Sequence, residues 1–219
     1  MRNIPTVTKN LIIINIIVFL ATKLNSDFMY ATFSLFYPAS SYFKIWQLVT
    51  HMFMHGNFMH LFFNMYTLLI FGSVLENMIG EKKFLKFFFI CGLGAAACHI
   101  GVQFIQAQSL MNKIANGSQA AVETYARLKM IPTVGASGAI YGVLIGYAML
   151  FPDARLTLIF PPISLSAKWW VLIFFVVELV TGVTGTAEGV AHFAHLGGMV
   201  FGWLMIMYWR KKGTLFDRY

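Results

Sequence analysis

Long runs of apolar residues constrain this chain more than any other feature of its sequence. They predict six membrane-spanning helices, over residues 8–24, 55–75, 84–106, 137–151, 168–183 and 190–209. Only 11% of the 219 residues are charged, which is too few for the surface of a soluble domain. We therefore expect an all-α, polytopic membrane protein that forms a single six-helix bundle over residues 1–219.

The fourth predicted span is short. Its residues, 137–151, extend about 22 Å at 1.5 Å per residue, whereas the hydrocarbon core of a membrane is about 30 Å thick. A helix can begin inside the membrane only where protein or a water-filled cavity shields its end. We therefore expect this span to begin below the membrane surface, at a cavity.

Two long segments connect the predicted spans on one side of the membrane. Residues 25–54 are rich in aromatic and amphipathic positions, which favours a segment lying in the membrane interface. Residues 107–134 are more polar and are expected to form a loop with room for a short surface helix.

The basic residues predict the orientation. The formal charge of +8 would suit a nucleic-acid partner, but in membrane proteins Lys and Arg concentrate in cytoplasmic loops. With both termini cytoplasmic, the inner segments hold Arg2, Lys9, Lys82, Lys83, Lys86, Arg155, Lys168, Arg210, Lys211, Lys212 and Arg218. The outer segments then hold Lys23, Lys44, Lys113, Arg127 and Lys129. We expect this orientation, in a bacterial plasma membrane, with the lipid bilayer as partner and no nucleic acid.

Four polar residues interrupt the apolar spans and are expected at one depth. His60 and Asn64 share a face of the second span, Ser137 opens the fourth, and His195 lies in the sixth. In the predicted orientation these spans all begin at the outer face, so a shared cavity opening to that face is the economical explanation. Polar groups are costly in lipid and mark functional sites.

Such a cavity could support acyl transfer. A serine hydroxyl needs a base, which His195 can supply to Ser137. The N–H of Ser137, unpaired at a helix start, and the side chains of His60 and Asn64 could stabilise an oxyanion. Glu188, the acid nearest to His195 in sequence, is expected in a loop, which favours a Ser–His dyad over a triad. Glu178 is either functional or a structural hydrogen-bond partner.

Small residues are placed to bring the fourth and sixth spans together. Ridges with four-residue spacing predict close helix packing, and they consist of Gly138, Gly142 and Gly146 on one span and Ala194, Gly198 and Gly202 on the other. Tyr141 lies one turn after Ser137, where its ring could pack against His195. Gly135 is expected to let the preceding loop turn into the cavity.

The motifs "HGNFMHLFFN" at 55–64, "GASG" at 135–138 and "AHLGGMVFG" at 194–202 together resemble the rhomboid family of intramembrane serine proteases. The resemblance extends to Trp46 and to "GSVLENMIG", with Gly72, Glu76 and Gly80, although family members often have Arg where this chain has Gln47. It implies an endopeptidase that cleaves transmembrane protein substrates without a cofactor. The implied roles are Ser137 as nucleophile, His195 as base and acid, His60 and Asn64 as oxyanion donors, and His55 as a support at the cavity mouth.

Other interpretations stay open. Ser137 could simply cap its helix. His51, His55 and His60 could bind a metal, but neither an HExxH pattern nor a carboxylate cluster accompanies them, so we expect none. A non-catalytic rhomboid-like protein that binds membrane clients is the main alternative function. A transporter is a weaker one, since it would predict inverted repeats or charges at mid-membrane.

Overall fold

The chain folds into a helical bundle. The computed structural model describes residues 3–157, 162–184 and 189–216. Its helices are α1 (Thr6–Leu24), α2 (Ser26–Phe33), α3 (Gln47–Thr50), α4 (Phe58–Thr67), α5 (Ser73–Ile79), α6 (Glu81–Ala115), α7 (Gln119–Met130), α8 (Ser137–Leu150), α9 (Ala167–Thr184) and α10 (Gly189–Lys211). A 3₁₀ turn (His51–Phe53) follows α3, a π-helical turn (Leu68–Gly72) joins α4 to α5, and a two-stranded antiparallel hairpin of β1 (Arg155–Thr157) and β2 (Ser164–Ser166) joins α8 to α9.

The prediction of a polytopic, all-α membrane protein is confirmed. Within the described residues, four helical segments are long and apolar enough to cross a membrane: Thr6–Leu24, Phe58–Ile79, Glu81–Ala115 and Ala167–Thr184. The apolar α8 is shorter, as its sequence predicts. Large side chains along α1 and α9 are exposed, as expected of surfaces that face lipid rather than water. The count of six spans stays a prediction.

The prediction of a loop with a short surface helix over residues 107–134 is correct for the helix, which is α7, but wrong for the start of the segment. Helix α6 continues to Ala115, and α7 occupies most of the remaining segment. The first polar residues mark where a helix leaves the hydrocarbon, not where it ends, and Gln, Ala, Leu, Met and Lys all favour continued helix. The helix ends where Gly117 adopts a φ of 86° and Ser118 caps α7.

The central contact of the bundle lies between α8 and α10. A Cβ added to Gly198 would lie 1.8 Å from the carbonyl oxygen of Gly138, and one added to Gly142 would lie 3.0 Å from the carbonyl oxygen of Gly198. The two backbones therefore touch. The same part of α8 also packs on α6, since a Cβ on Gly138 would lie 2.4 Å from Cβ of Ala95. The small-residue ridges thus bring three helices together around the start of α8.

Gln47 organises the segment between α2 and α4. Its side chain is fully buried, and its Oε1 accepts hydrogen bonds from the N–H groups of Phe36 (3.4 Å) and Lys44 (3.1 Å). Its Nε2 donates to the carbonyl oxygen of Tyr42 (2.9 Å). The neighbouring Trp46 donates from Nε1 to the carbonyl oxygen of Thr32 (3.0 Å). The uncharged side chain of Gln47 therefore holds together the backbone of the segment between α2 and α4.

Glu76 ties the second span to the first. Its carboxylate is buried and accepts hydrogen bonds from the N–H groups of Val7 (2.9 Å) and Thr8 (2.7 Å) in the first turn of α1. A carboxylate at a helix N-terminus satisfies donors that have no partner within the helix. Gly80, with a φ of 84°, ends α5 four residues later, and its N–H donates to the carbonyl oxygen of Glu76 (2.8 Å). Glu76 and Gly80 thus have structural roles, one at the start of α1 and the other at the end of α5.

Candidate active site

The loop before α8, residues 131–136, is fixed by hydrogen bonds to other parts of the chain. The backbone of Thr133 exchanges two hydrogen bonds with that of Leu35, at 2.8 and 2.9 Å, and its hydroxyl lies 2.7 Å from Nε2 of His99. The N–H of Gly135 donates to the carbonyl oxygen of His51 (2.9 Å). Gly135 has a φ of 130°, which only glycine adopts readily. The turn therefore delivers Ser137 to the start of α8 in a fixed position.

Ser137 and His195 are in contact. His195 Nε2 lies 2.8 Å from Ser137 Oγ, and both side chains are partly exposed. Ser137 is the first residue of α8, its N-cap is Ala136, and this helix has no side-chain cap. The interpretation of Ser137 as a helix cap is therefore wrong. Its hydroxyl is directed at the imidazole instead.

Tyr141 lies against His195. The two rings are stacked with their centroids 4.3 Å apart and an interplanar angle of 6°. This contact follows from helical spacing, since Tyr141 is one turn after Ser137 on the same face of α8. The stacked ring restricts rotation of the imidazole and so holds Nε2 toward Ser137.

An acidic side chain lies beside the pair, contrary to the expectation from sequence. Glu178 of α9 is 6% exposed, and its Oε2 lies 3.1 Å from Nδ1 of His195. The same oxygen lies 2.6 Å from Nδ1 of His192, and Oε1 accepts a hydrogen bond from the Tyr141 hydroxyl at 2.5 Å. Glu188, the acid considered from sequence, lies outside the described residues. The sequence could not reveal this contact because it depends on how α9 is rotated against α10.

The second span supplies the other predicted polar groups. A Cβ added to Gly135 would lie 2.8 Å from the His60 ring and 3.5 Å from Ser137 Oγ, so the imidazole lies against this turn. Asn64 is buried, and its Nδ2 lies 2.9 Å from Nε2 of His55. The rings of His55 and His60 meet edge to face at 4.9 Å. The structure thus places His60 against the Gly135 turn, two residues before the serine, and Asn64 one turn further along α4, where it contacts His55.

His51 stabilises the turn at Gly135 that precedes Ser137. Its Nδ1 lies 2.8 Å from the carbonyl oxygen of Gln47, four residues earlier, and its own carbonyl oxygen receives the N–H of Gly135. Burial lowers the pKa of His51 to about 4, so the ring is neutral at physiological pH. A neutral imidazole with Nδ1 protonated suits this structural position.

A cavity of about 40 Å³ adjoins the serine. It lies between the turn at 133–135, α6 and α10, and its lining includes His51, Thr133, Ser137 and His195. This volume exceeds the roughly 10–15 Å³ that one water needs, and polar groups line it. A larger groove of about 490 Å³ lies between α8, α9 and α10. Its lining is almost wholly apolar, and it contains neither Ser137 nor His195.

A family model for the rhomboid domain matches residues 42–212. This chain belongs to the rhomboid family. The matched region includes every residue of the site and all of α4 to α10. The family resemblance inferred from the three motifs is thereby confirmed.

Several curated rhomboid proteins are similar to this chain. Rhomboid protease AarA of Providencia stuartii is 28% identical over 167 residues, which cover 73% of this chain and 54% of that protein. Rhomboid protein 1, mitochondrial, of Saccharomyces cerevisiae is 32% identical over 165 residues, covering 73% and 40%. Presenilin-associated rhomboid-like protein, mitochondrial, of Homo sapiens is 27% identical over 168 residues, covering 74% and 39%. The chain spans about half or less of the length of these relatives.

Proposed function

We propose that this rhomboid is an intramembrane serine endopeptidase. It hydrolyses peptide bonds in or near the transmembrane segments of membrane proteins, with Ser137 as nucleophile and His195 as base. The observation that carries the proposal is the 2.8 Å contact between Ser137 Oγ and His195 Nε2, made by two helices whose backbones touch. A nucleophile within hydrogen-bonding distance of an oriented base is the arrangement that acyl transfer requires.

The first chemical step is acylation. Ser137 Oγ attacks the scissile carbonyl carbon while its proton moves to Nε2 of His195. The ring stacked on Tyr141 is already oriented for this transfer, so little reorganisation is needed. His195 then donates the proton to the nitrogen of the leaving segment, and the peptide bond breaks. The serine is left as an ester of the substrate's carbonyl carbon.

The tetrahedral intermediate carries a negative oxygen that needs donors. The N–H of Ser137 at the start of α8 is one, because the first N–H groups of a helix have no partner within it. His60, beside the Gly135 turn, is the second, and Asn64 is the third. Donors held in place before the reaction stabilise charge that develops in the transition state.

Deacylation requires water inside the membrane. The polar cavity beside Ser137 has room for it next to the ester. His195 takes a proton from that water, the resulting hydroxide attacks the ester, and the proton returns to Ser137 Oγ. The cavity therefore needs polar lining residues to hold this water, because the apolar residues of the surrounding spans cannot.

The substrate must unwind to react, because a helix hides its carbonyl groups from attack. We infer lateral entry from the membrane near α9, whose outward side chains are largely exposed. The distribution of basic residues supports cytoplasmic termini and a site that opens to the outer face of a bacterial plasma membrane. The relatives include mitochondrial as well as bacterial proteins.

Covalent labelling tests the proposal. A fluorophosphonate should modify purified wild type at Ser137, as read by mass spectrometry of the peptide, and should not modify His195→Ala at a measurable rate. When the enzyme is reconstituted in vesicles with a single-span membrane protein, cleavage of that protein should stop once Ser137 is modified. Continued cleavage after complete modification would contradict the proposal. Capture of the single-span protein without cleavage would favour the client-binding alternative.

A further inference from the structure

A buried carboxylate within the membrane needs a reason to be there. Among the residues that the structure describes, Glu76 and Glu178 are the buried acidic side chains. Glu76 stabilises the start of α1, which accounts for its burial. Within the described part of the chain, the Glu178 carboxylate instead has its polar contacts with groups near the serine: the Tyr141 hydroxyl, Nδ1 of His192 and Nδ1 of His195. A charge held at membrane depth marks function unless structure explains it.

We propose that Glu178 is a positioning residue for His195 and completes a Ser–His–Glu arrangement. This inference rests on the proposed endopeptidase function and extends it. The three side chains form a continuous row of contacts. Ser137 Oγ is 2.8 Å from His195 Nε2, and Glu178 Oε2 is 3.1 Å from Nδ1 of the same ring.

The carboxylate determines which nitrogen of His195 carries the proton. An ionised carboxylate can only accept, so the nitrogen facing it is protonated. Nε2 is then unprotonated and can accept the proton of Ser137. With the other tautomer His195 could not act as a base, and the reaction would have to wait for the ring to exchange its proton.

The carboxylate also stabilises the charged ring that forms during acylation. When Ser137 attacks, its proton moves to Nε2 and His195 becomes an imidazolium, while Glu178 stays ionised and takes no proton. The attraction between opposite charges 3.1 Å apart is strong where water is scarce. His195 Nδ1 is buried, and among the described residues no hydrogen bond aligned with its ring N–H is present. Catalytic hydrogen bonds that are poorly aligned without substrate often tighten when substrate binds.

Glu178 acts on the imidazole by a second route as well. Tyr141, whose ring stacks on His195, donates its hydroxyl to Oε1 of the same carboxylate. Glu178 therefore fixes both the ring that stacks on His195 and the nitrogen opposite the serine. His192 satisfies part of the carboxylate's remaining hydrogen-bonding capacity.

A metal ion is the competing explanation for this cluster. Glu178, His192 and His195 each offer one ligand atom, and these atoms lie within 4.8 Å of one another. Ligands at about 2.0–2.1 Å from a tetrahedral zinc would be about 3.3 Å apart. The 2.6 Å between Glu178 Oε2 and His192 Nδ1 is shorter and is a hydrogen-bond distance. The geometry therefore favours protons over a metal between these groups.

Glu178→Gln tests the inference, because it keeps the shape of the side chain and removes its charge. Turnover by purified protein in vesicles should fall about 10- to 100-fold with KM changed less than twofold, since the loss affects proton transfer rather than binding. The rate of fluorophosphonate labelling of Ser137 should fall in parallel. Glu178→Asp, which retains a carboxylate, should lose about 3- to 10-fold in turnover.

Glu76→Gln is the matched control, because it neutralises the other buried glutamate. The variant should have a lower melting temperature than the wild type. Its turnover, divided by the number of molecules that the fluorophosphonate labels, should equal that of the wild type. Folded Glu178→Gln with wild-type turnover, or activity abolished by a metal chelator, would overturn the inference. If the Gln variant does not fold, wild-type turnover in Glu178→Asp would overturn it. Cleavage retained by Ser137→Ala would instead remove the proposed function itself, so the two failures are distinguishable.

Discussion

The contact between α8 and α10 gives the sharpest test of how the fold builds the site. In Gly198→Ala the new Cβ would lie 1.8 Å from the carbonyl oxygen of Gly138, whereas carbon and oxygen normally approach to about 3.3 Å. The obstacle is backbone rather than a flexible side chain, so the helices must separate by about 1.5 Å. The 2.8 Å contact between Ser137 and His195 would then open to about 4 Å, beyond hydrogen-bonding distance.

We expect Gly198→Ala to lower turnover at least 100-fold, because a displacement of about 1 Å at a reacting pair can cost that much. Turnover of a single-span substrate in vesicles and the rate of fluorophosphonate labelling measure the effect. Gly202→Ala is a milder variant, since its Cβ would lie 2.9 Å from the Gly142 carbonyl oxygen. Gly101→Ala is the control, because nothing lies within 4 Å of the added atom. Folded Gly198→Ala with wild-type turnover would refute the reasoning that the glycine ridges set the distance between serine and histidine.

Three further predictions concern the oxyanion site, stability and topology. His60→Ala and Asn64→Ala should each lower turnover about 10- to 1,000-fold with little change in KM, and a rise in KM alone would contradict a role at the oxyanion. Burial lowers the pKa of His51 to about 4 from an unfolded value near 6.5, so the unfolded chain binds more protons between these values. Stability should therefore fall by up to about 3 kcal/mol as pH drops from 6.5 to 4, as measured by urea unfolding, and His51→Gln should lose this dependence. With both native cysteines replaced, an impermeant maleimide added to intact cells should label Lys113→Cys but not Lys211→Cys, and the reverse pattern would invert the proposed orientation.

The sequence correctly predicted those contacts around Ser137 that follow from residue spacing along a helix. Tyr141 is one helical turn from Ser137, and this spacing alone suggests that its ring lies on the serine's side of α8. The small-residue ridges likewise indicated that α8 and α10 approach closely. The structure shows both contacts, and the helical membrane fold and the rhomboid family were predicted correctly as well.

The sequence did not predict contacts that depend on the rotation of one helix against another. Glu178 is 17 positions before His195, and no periodicity links residues on two different helices. Its isolation as an acid in an apolar span was the available signal, since such residues are rarely without a role. The end of the helix at residue 106 was predicted too early for a different reason. Hydropathy reports where the membrane ends, whereas helix propensity determines where α6 ends.

Cleavage by Ser137→Ala tests the central claim most directly. The wild type and the variant would be purified and reconstituted with a single-span protein, and the products would be identified by mass spectrometry. The proposed mechanism predicts two fragments, separated by hydrolysis in or near the membrane span, with the wild type and none with the variant. Equal cleavage by both proteins would contradict the assignment of Ser137 as the nucleophile and, with it, the proposed protease.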